Sequence, residues 1–132
     1  QWRPVIDYSE KDVWEVLKRH RITLHPCYRA GWNRCSCAMC IFSTPRLFAG
    51  IRELYPEEYG LLKRDEEILG FTLDNRRDLD SFVGDAKSCV YHGDQAAIHS
   101  LLTGEFGIGE IYRKGEWSYP AGAFHGAEGG PC

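Results

Sequence analysis

Four of the six cysteines fall within fourteen residues, from Cys27 to Cys40. The stretch runs His25-Pro26-Cys27-Tyr28 and then Gly31-Trp32-Asn33-Arg34-Cys35-Ser36-Cys37-Ala38-Met39-Cys40. Thiolates this close in sequence can surround one metal ion or one iron–sulfur cluster. Cys37-Ala38-Met39-Cys40 is a CxxC, a spacing that lets two thiolates share a metal while nearby backbone N–H groups soften the sulfur charge. Two other readings stand beside it: a redox dithiol and plain small buried thiols. Cys27 and Cys35 close by favour the metal. Two ligand sets are open. One is local, Cys27, Cys35, Cys37 and Cys40, and four thiolates suit Zn²⁺ or a [4Fe–4S] cluster alike. The other joins Cys37 and Cys40 to Cys89 and His92, a CxxH that would complete a Cys₃His zinc site. The local set is preferred. The plain reading of Cys89 is a core thiol, and of His92 a loop histidine.

Arg3, Arg29, Arg34 and His25 surround this knot in sequence. A guanidinium fork matches the geometry of phosphate and sulfate. Arg34, directly before Cys35-Ser36-Cys37, is expected to contact an anion, with His25 and Arg3 as further substrate-binding candidates. Arg29 reads rather as solvated or as a cap on loop carbonyls. Tyr28 and Trp32 either stack on a base or simply pack. Asp94 and the acidic residues at 57–58 and 65–67 read as solvated helix faces. There is no phosphate-cradling glycine loop and no Ser–His–Asp arrangement, so no catalytic residue is assigned.

The elements that must position these groups can be read from the pattern. Ser9 is an N-cap with Asp12 three residues on, a capping box with a shorter acid than usual. Val13, Trp14, Val16 and Leu17 form one apolar face, and a helix is predicted over about 9–20. Pro26 is expected to stop any continuation. Thr44-Pro45 starts a second helix, with Leu47, Phe48, Ile51 and Leu54 at helical spacing. Pro56-Glu57-Glu58 opens a third, ended by Gly70. Asp80 to Val83 forms a helical turn, and Gln95 to Leu102 a fourth helix ended by Gly104. Beyond it glycine and aromatic residues dominate, with a short strand expected near Glu110 to Arg113. This gives one cysteine-centred domain: connector and first helix (1–24), cysteine loop (25–43), helical part (44–104) and Gly/aromatic tail (105–132). The expected fold is mainly α with irregular loops.

The 132 residues suffice for one domain with a real core. Hydrophobic residues at 43% and charged residues at 27% are ordinary globular values and exclude disorder. The net charge of −3 offers no global attraction to nucleic acid, so such binding would need a local basic patch. No apolar run approaches the roughly 18 residues of a membrane span. A secreted disulfide framework fits poorly with three cysteines as crowded as Cys35, Cys37 and Cys40. A reducing cytoplasm is the expected setting. Gln1 is not a natural start, so further chain is expected before it.

Arg3-Pro4-Val5-Ile6-Asp7-Tyr8, Val13-Trp14, His25-Pro26-Cys27-Tyr28 and Arg34-Cys35-Ser36-Cys37 with Cys40-Ile41-Phe42 together resemble the phosphoadenosine phosphosulfate (PAPS) reductase family, most of all its phage and prophage members. Pro120-Ala121-Gly122-Ala123-Phe124 and Gly130-Pro131-Cys132 resemble the ending of those members. About 74–111 carries no matching motif. The resemblance implies the C-terminal portion of an α/β adenine-nucleotide-hydrolase-like protein built around a cysteine-ligated centre. Its N-terminal nucleotide-binding half, on the same or a separate chain, would be the partner. An adenine nucleotide or sulfate-bearing substrate would be the ligand. The Glu-Cys-Gly-Leu-His tail of the reductases proper is absent, so the resemblance points to sulfur handling more than to PAPS reduction itself. The other expectation is a non-catalytic module, held by zinc, that docks a partner protein or nucleic acid.

Overall fold

The computed structural model of the protein describes residues 2–105 and 111–125. The tail residues Gly107, Gly109, Glu110, Gly126, Gly129, Gly130, Pro131 and Cys132 lie outside them. Among the described residues six helices succeed one another: α1 (Glu10–Arg19), α2 (Pro26–Arg29), α3 (Pro45–Leu54), α4 (Pro56–Leu69), α5 (Leu79–Val83) and α6 (Gln95–Thr103). The fold is mainly helical with irregular loops, and among the described residues its strand content is one antiparallel bridge, Ile22 to Tyr112. Thr23 N–H donates to Ile111 O at 2.8 Å and Arg113 N–H to Arg21 O at 2.7 Å. The strand expected near Glu110 to Arg113 is thus a short pairing of the tail with the segment that leaves α1.

Local chemistry sets the helix ends. Ser9 and Asp12 form the full reciprocal capping box on α1, because the Asp carboxylate still reaches the Ser9 amide at 2.9 Å. The Thr44 hydroxyl caps α3 and Pro45 holds its first position. Gly70 and Gly104 close α4 and α6 in the left-handed conformation. The first helix does not continue to Pro26, which does more than act as a stop. It begins a one-turn helix, with the His25 side chain as N-cap, since the missing proline N–H is unneeded at a first helical position. Asp94 is likewise no solvated face: its carboxylate caps α6 by accepting from Ala97 N–H at 3.0 Å. The half-buried Glu66 also departs from that reading, because its two oxygens accept from Leu73 and Leu79 N–H at 2.7 and 2.9 Å and so fold the α4–α5 loop back.

Helix α3 is the centre. Leu47, Phe48 and Ile51 are each 1% exposed and pack with Tyr59 of α4, Leu79 and Val83 of α5, and Ala97 and Ile98 of α6. Burying each large apolar side chain contributes about 1.5–3 kcal/mol. A second, smaller core joins Trp14 of α1 and Leu24 to Trp117 and Ala123 of the tail. Tyr28 of α2 packs against both cores, with its ring edge-on to Trp14 at 5.5 Å. The cysteine stretch therefore starts at the seam between two apolar clusters. No helix among the described residues is long and apolar enough to cross a membrane.

Candidate metal centre

The centre is assembled by a tight reversal of the chain. His25 Nδ1 accepts from Cys27 N–H at 3.2 Å, which fixes the start of α2. After one turn Gly31 adopts φ +110°, and Trp32 N–H donates back to Cys27 O at 2.9 Å. A side chain at Gly31 would be strained in φ, and its Cβ would stand 1.9 Å from Cys89 O. The reversal carries Cys35 back over Cys27. The Tyr28 hydroxyl accepts from Cys35 N–H at 3.3 Å and anchors the returning strand of the loop.

The outcome is a group of three potential metal donors. One donor atom each from His25, Cys27 and Cys35 lies within 4.8 Å of the others. Cys27 is buried, His25 half-buried and Cys35 exposed, so the group opens at the surface. These are free thiols, and imidazole nitrogen with two sulfurs is a donor set that a metal such as zinc accepts. Burial pushes the Cys27 thiol well up from its ordinary pKa, and the neighbouring Cys35 adds to the rise. A metal must take Cys27 as thiolate, so binding here releases a proton that the protein otherwise retains firmly. His25 faces a choice as well. While Nδ1 accepts the Cys27 amide, the neutral ring carries its proton on Nε2. Ligation through either nitrogen gives up that cap.

The three residues open into a cleft of about 90 Å³. Arg34, Ser36 and Cys37 form its rim, and Trp32, Ile51 and Tyr55 give it an apolar wall. Arg34 is half-buried there, its Nη1 donating to Phe42 O at the long distance of 3.5 Å. The structure thus brings together four of the sequence candidates: Cys27, Cys35, Arg34 and His25. Cys37 is exposed on the same rim, and Cys40, half-buried, lies in the turn where Ser43 N–H bonds its carbonyl at 2.8 Å. Neither belongs to the group of close donors. Arg3 is exposed in the turn before α1, where its carbonyl accepts from Ile6 N–H, and does not line the cleft. Cys89 is 3% exposed in the main core, its thiol pushed up to about 12 by burial. His92 Nε2 sits 2.7 Å from a Glu53 carboxylate oxygen.

Two contributors escaped the sequence reading. One is the Tyr28 hydroxyl, since nothing in a Cys-Tyr pair tells packing from hydrogen bonding. The other is the tail. Gly122 N–H donates to Tyr28 O at 2.9 Å, and the Asn33 side-chain amide donates to His125 O at 2.6 Å. A Cβ on Gly122 would stand 1.8 Å from Trp32 O, so only glycine allows the tail this close. Phe124 N–H reaches Glu10 Oε1 at 2.8 Å, the oxygen that also accepts from the Trp14 indole at 3.0 Å. The motif Pro120 to Phe124 is thus a clamp over the loop that bears the cysteines.

No protein-family model matches the chain, and no solved structure matches it. Two curated proteins do. An uncharacterized 37.8 kDa protein in the gpa 5'region of Escherichia phage 186 is 31% identical over 68 residues, which are 52% of this chain and 20% of the phage protein. An uncharacterized protein of Methanocaldococcus jannaschii is 31% identical over 77 residues, covering 52% of this chain and 19% of its own length. The chain spans about a fifth of the length of the curated relatives it matches.

Proposed function

We propose that the chain is the metal-binding part of a larger, PAPS-reductase-like sulfur-handling protein. The observation that carries this reading is the convergence of His25, Cys27 and Cys35 within 4.8 Å, beside Arg34 in one cleft. The metal is zinc, bound by the mixed nitrogen and sulfur donors, with Cys37 of the same rim as the nearest candidate for a fourth ligand. When bound, zinc supplies a Lewis-acidic, positively charged centre. Arg34 presents a guanidinium fork at the cleft and orients a sulfate or phosphate group of an adenine nucleotide or other sulfate-bearing substrate. His25 and Arg3 join it as secondary substrate contacts. The nucleotide-binding half lies outside this chain, in keeping with matches that cover only about a fifth of each relative. A second reading draws on the exposed Cys37 and the half-buried Cys40: with Cys27 and Cys35 they offer the all-thiolate set of a [4Fe–4S] cluster. A zinc-held, non-catalytic docking module is the third.

Metal analysis and absorbance of protein purified without oxygen separate these readings. Near-stoichiometric zinc in a colourless protein, lost in Cys27→Ser and Cys35→Ser, is the expected result. Broad absorbance near about 400 nm with bound iron replaces zinc by the cluster. Metal-free protein, or full metal content in both serine variants, overturns the centre. Arg34→Lys is expected to retain the metal while weakening sulfate or nucleotide binding by about 1–3 kcal/mol. Unchanged binding in that variant leaves the docking module as the reading.

A further inference from the structure

A second cleft shares no residue with the cysteine centre. Two adjoining hollows, of about 330 and 200 Å³, have Leu24, Arg29 and Arg113 in common. Their walls are the segment leaving α1, the start of α6 and the tail, and all three are firmly tied. The Trp117 indole N–H donates to Ile22 O at 2.9 Å. The Arg113 backbone pairs with Arg21. Arg29 Nε and Nη2 grip the two oxygens of Asp94 at 2.8 and 2.9 Å.

Charge in this cleft does not balance. Among the described residues that line it, Arg29 and Arg113 face a single carboxylate, Asp94. Both oxygens of that carboxylate are engaged by Arg29, and one also caps α6. Among the described residues Arg113 forms no ion pair, and it acts on Asp94 only through its field. The surplus is local, since the whole chain carries −3. An exposed arginine fork on a tethered backbone, beside an already neutralised Arg–Asp pair and facing a preformed hollow, suits an oxyanion.

We infer that this cleft binds a phosphate group, held by Arg113 with Arg29 as its fixed neighbour. The phosphate belongs either to a free ion or mononucleotide or to a nucleic-acid backbone, and the site stands whether or not the cysteine centre holds a metal. Titration of the full chain followed by ¹H–¹⁵N NMR tests it, with inorganic phosphate, a 5'-mononucleotide and a single-stranded oligonucleotide as probes. Saturable shifts of the Arg113 Nε–H and Trp117 indole signals are expected. Arg113→Gln should weaken binding about tenfold or more, and Arg113→Lys, with charge but no fork, by less. Tighter binding of the oligonucleotide, falling steeply with salt, assigns the source to nucleic acid. Equal binding of phosphate and mononucleotide assigns it to a small ligand. Shifts confined to the Arg34 cleft, no saturation at millimolar phosphate in low salt, or parental affinity in Arg113→Gln overturn the inference.

Discussion

The Tyr28 hydroxyl and the Cys35 amide are joined by a hydrogen bond of 3.3 Å across the mouth of the cysteine loop. One residue thereby packs between two apolar cores and holds a candidate metal-donor residue in place. Tyr28→Phe retains the ring and removes the acceptor. The expected loss is about 0.5–1.5 kcal/mol of stability, with weaker metal retention against a chelator. Equal chelator resistance in parent and variant would show that Cys35 is positioned by other contacts.

Gly122→Ala places a methyl group 1.8 Å from Trp32 O, where backbone must move. Destabilisation of about 3 kcal/mol or failure to fold is expected. Gly60→Ala is the matched control: it lies within α4, where an added Cβ meets nothing within 4 Å. That change should stabilise by up to about 1 kcal/mol, as alanine replaces glycine in a helix. Thermal unfolding of both variants measures the contrast.

Thiol reactivity should follow burial. In metal-free protein, Cys35 and Cys37 are exposed, whereas Cys27 and Cys89 are buried and their pKa values raised by that burial. Alkylation at neutral pH, read peptide by peptide by mass spectrometry, is expected to label Cys35 and Cys37 first and Cys89 last. Early labelling of Cys89 under native conditions would contradict its place in the main core.

Much of the helical framework could be read from the chain because its signals are local. Ser9 with Asp12, Thr44 with Pro45, and Gly70 and Gly104 each specify a helix end through neighbours a turn away. Pro26 was partly legible, because a proline after a helix reads as a stop, while the same ring also starts one. The donor group was half legible. Cysteine density pointed to Cys27 and Cys35, but CxxC spacing says nothing of which way Cys37 and Cys40 face. His25 was read as an anion contact, since its neighbourhood to Cys35 arises only from the turn at Gly31. Arg29 and Asp94 looked solvated because their pairing spans 65 residues.

That pair sets an acid limit. Burial opposes the Asp94 carboxylate, but the Arg29 fork and the Ala97 amide outweigh it and hold its pKa below 3.8. A carboxylate depressed in the folded state stabilises fully above its unfolded pKa, near 4, and that contribution is lost as pH falls through the folded value. Stability measured by denaturant titration should therefore fall below about pH 4. Asp94→Asn is expected to be less stable at neutral pH and to show a shallower acid decline. The same pH slope in parent and variant would remove Asp94 from the account.

The clamp formed by the tail has a consequence in time. Asn33 and the His125 carbonyl that it binds are 92 residues apart. At ordinary translation speeds of about 5–20 residues per second, roughly five to twenty seconds separate the synthesis of the cysteine loop from that of its cover. For that interval the nascent loop stands without the tail backbone that later bonds Tyr28 and Asn33. The loop is built early and finished late, so its assembly waits on a long-range closure.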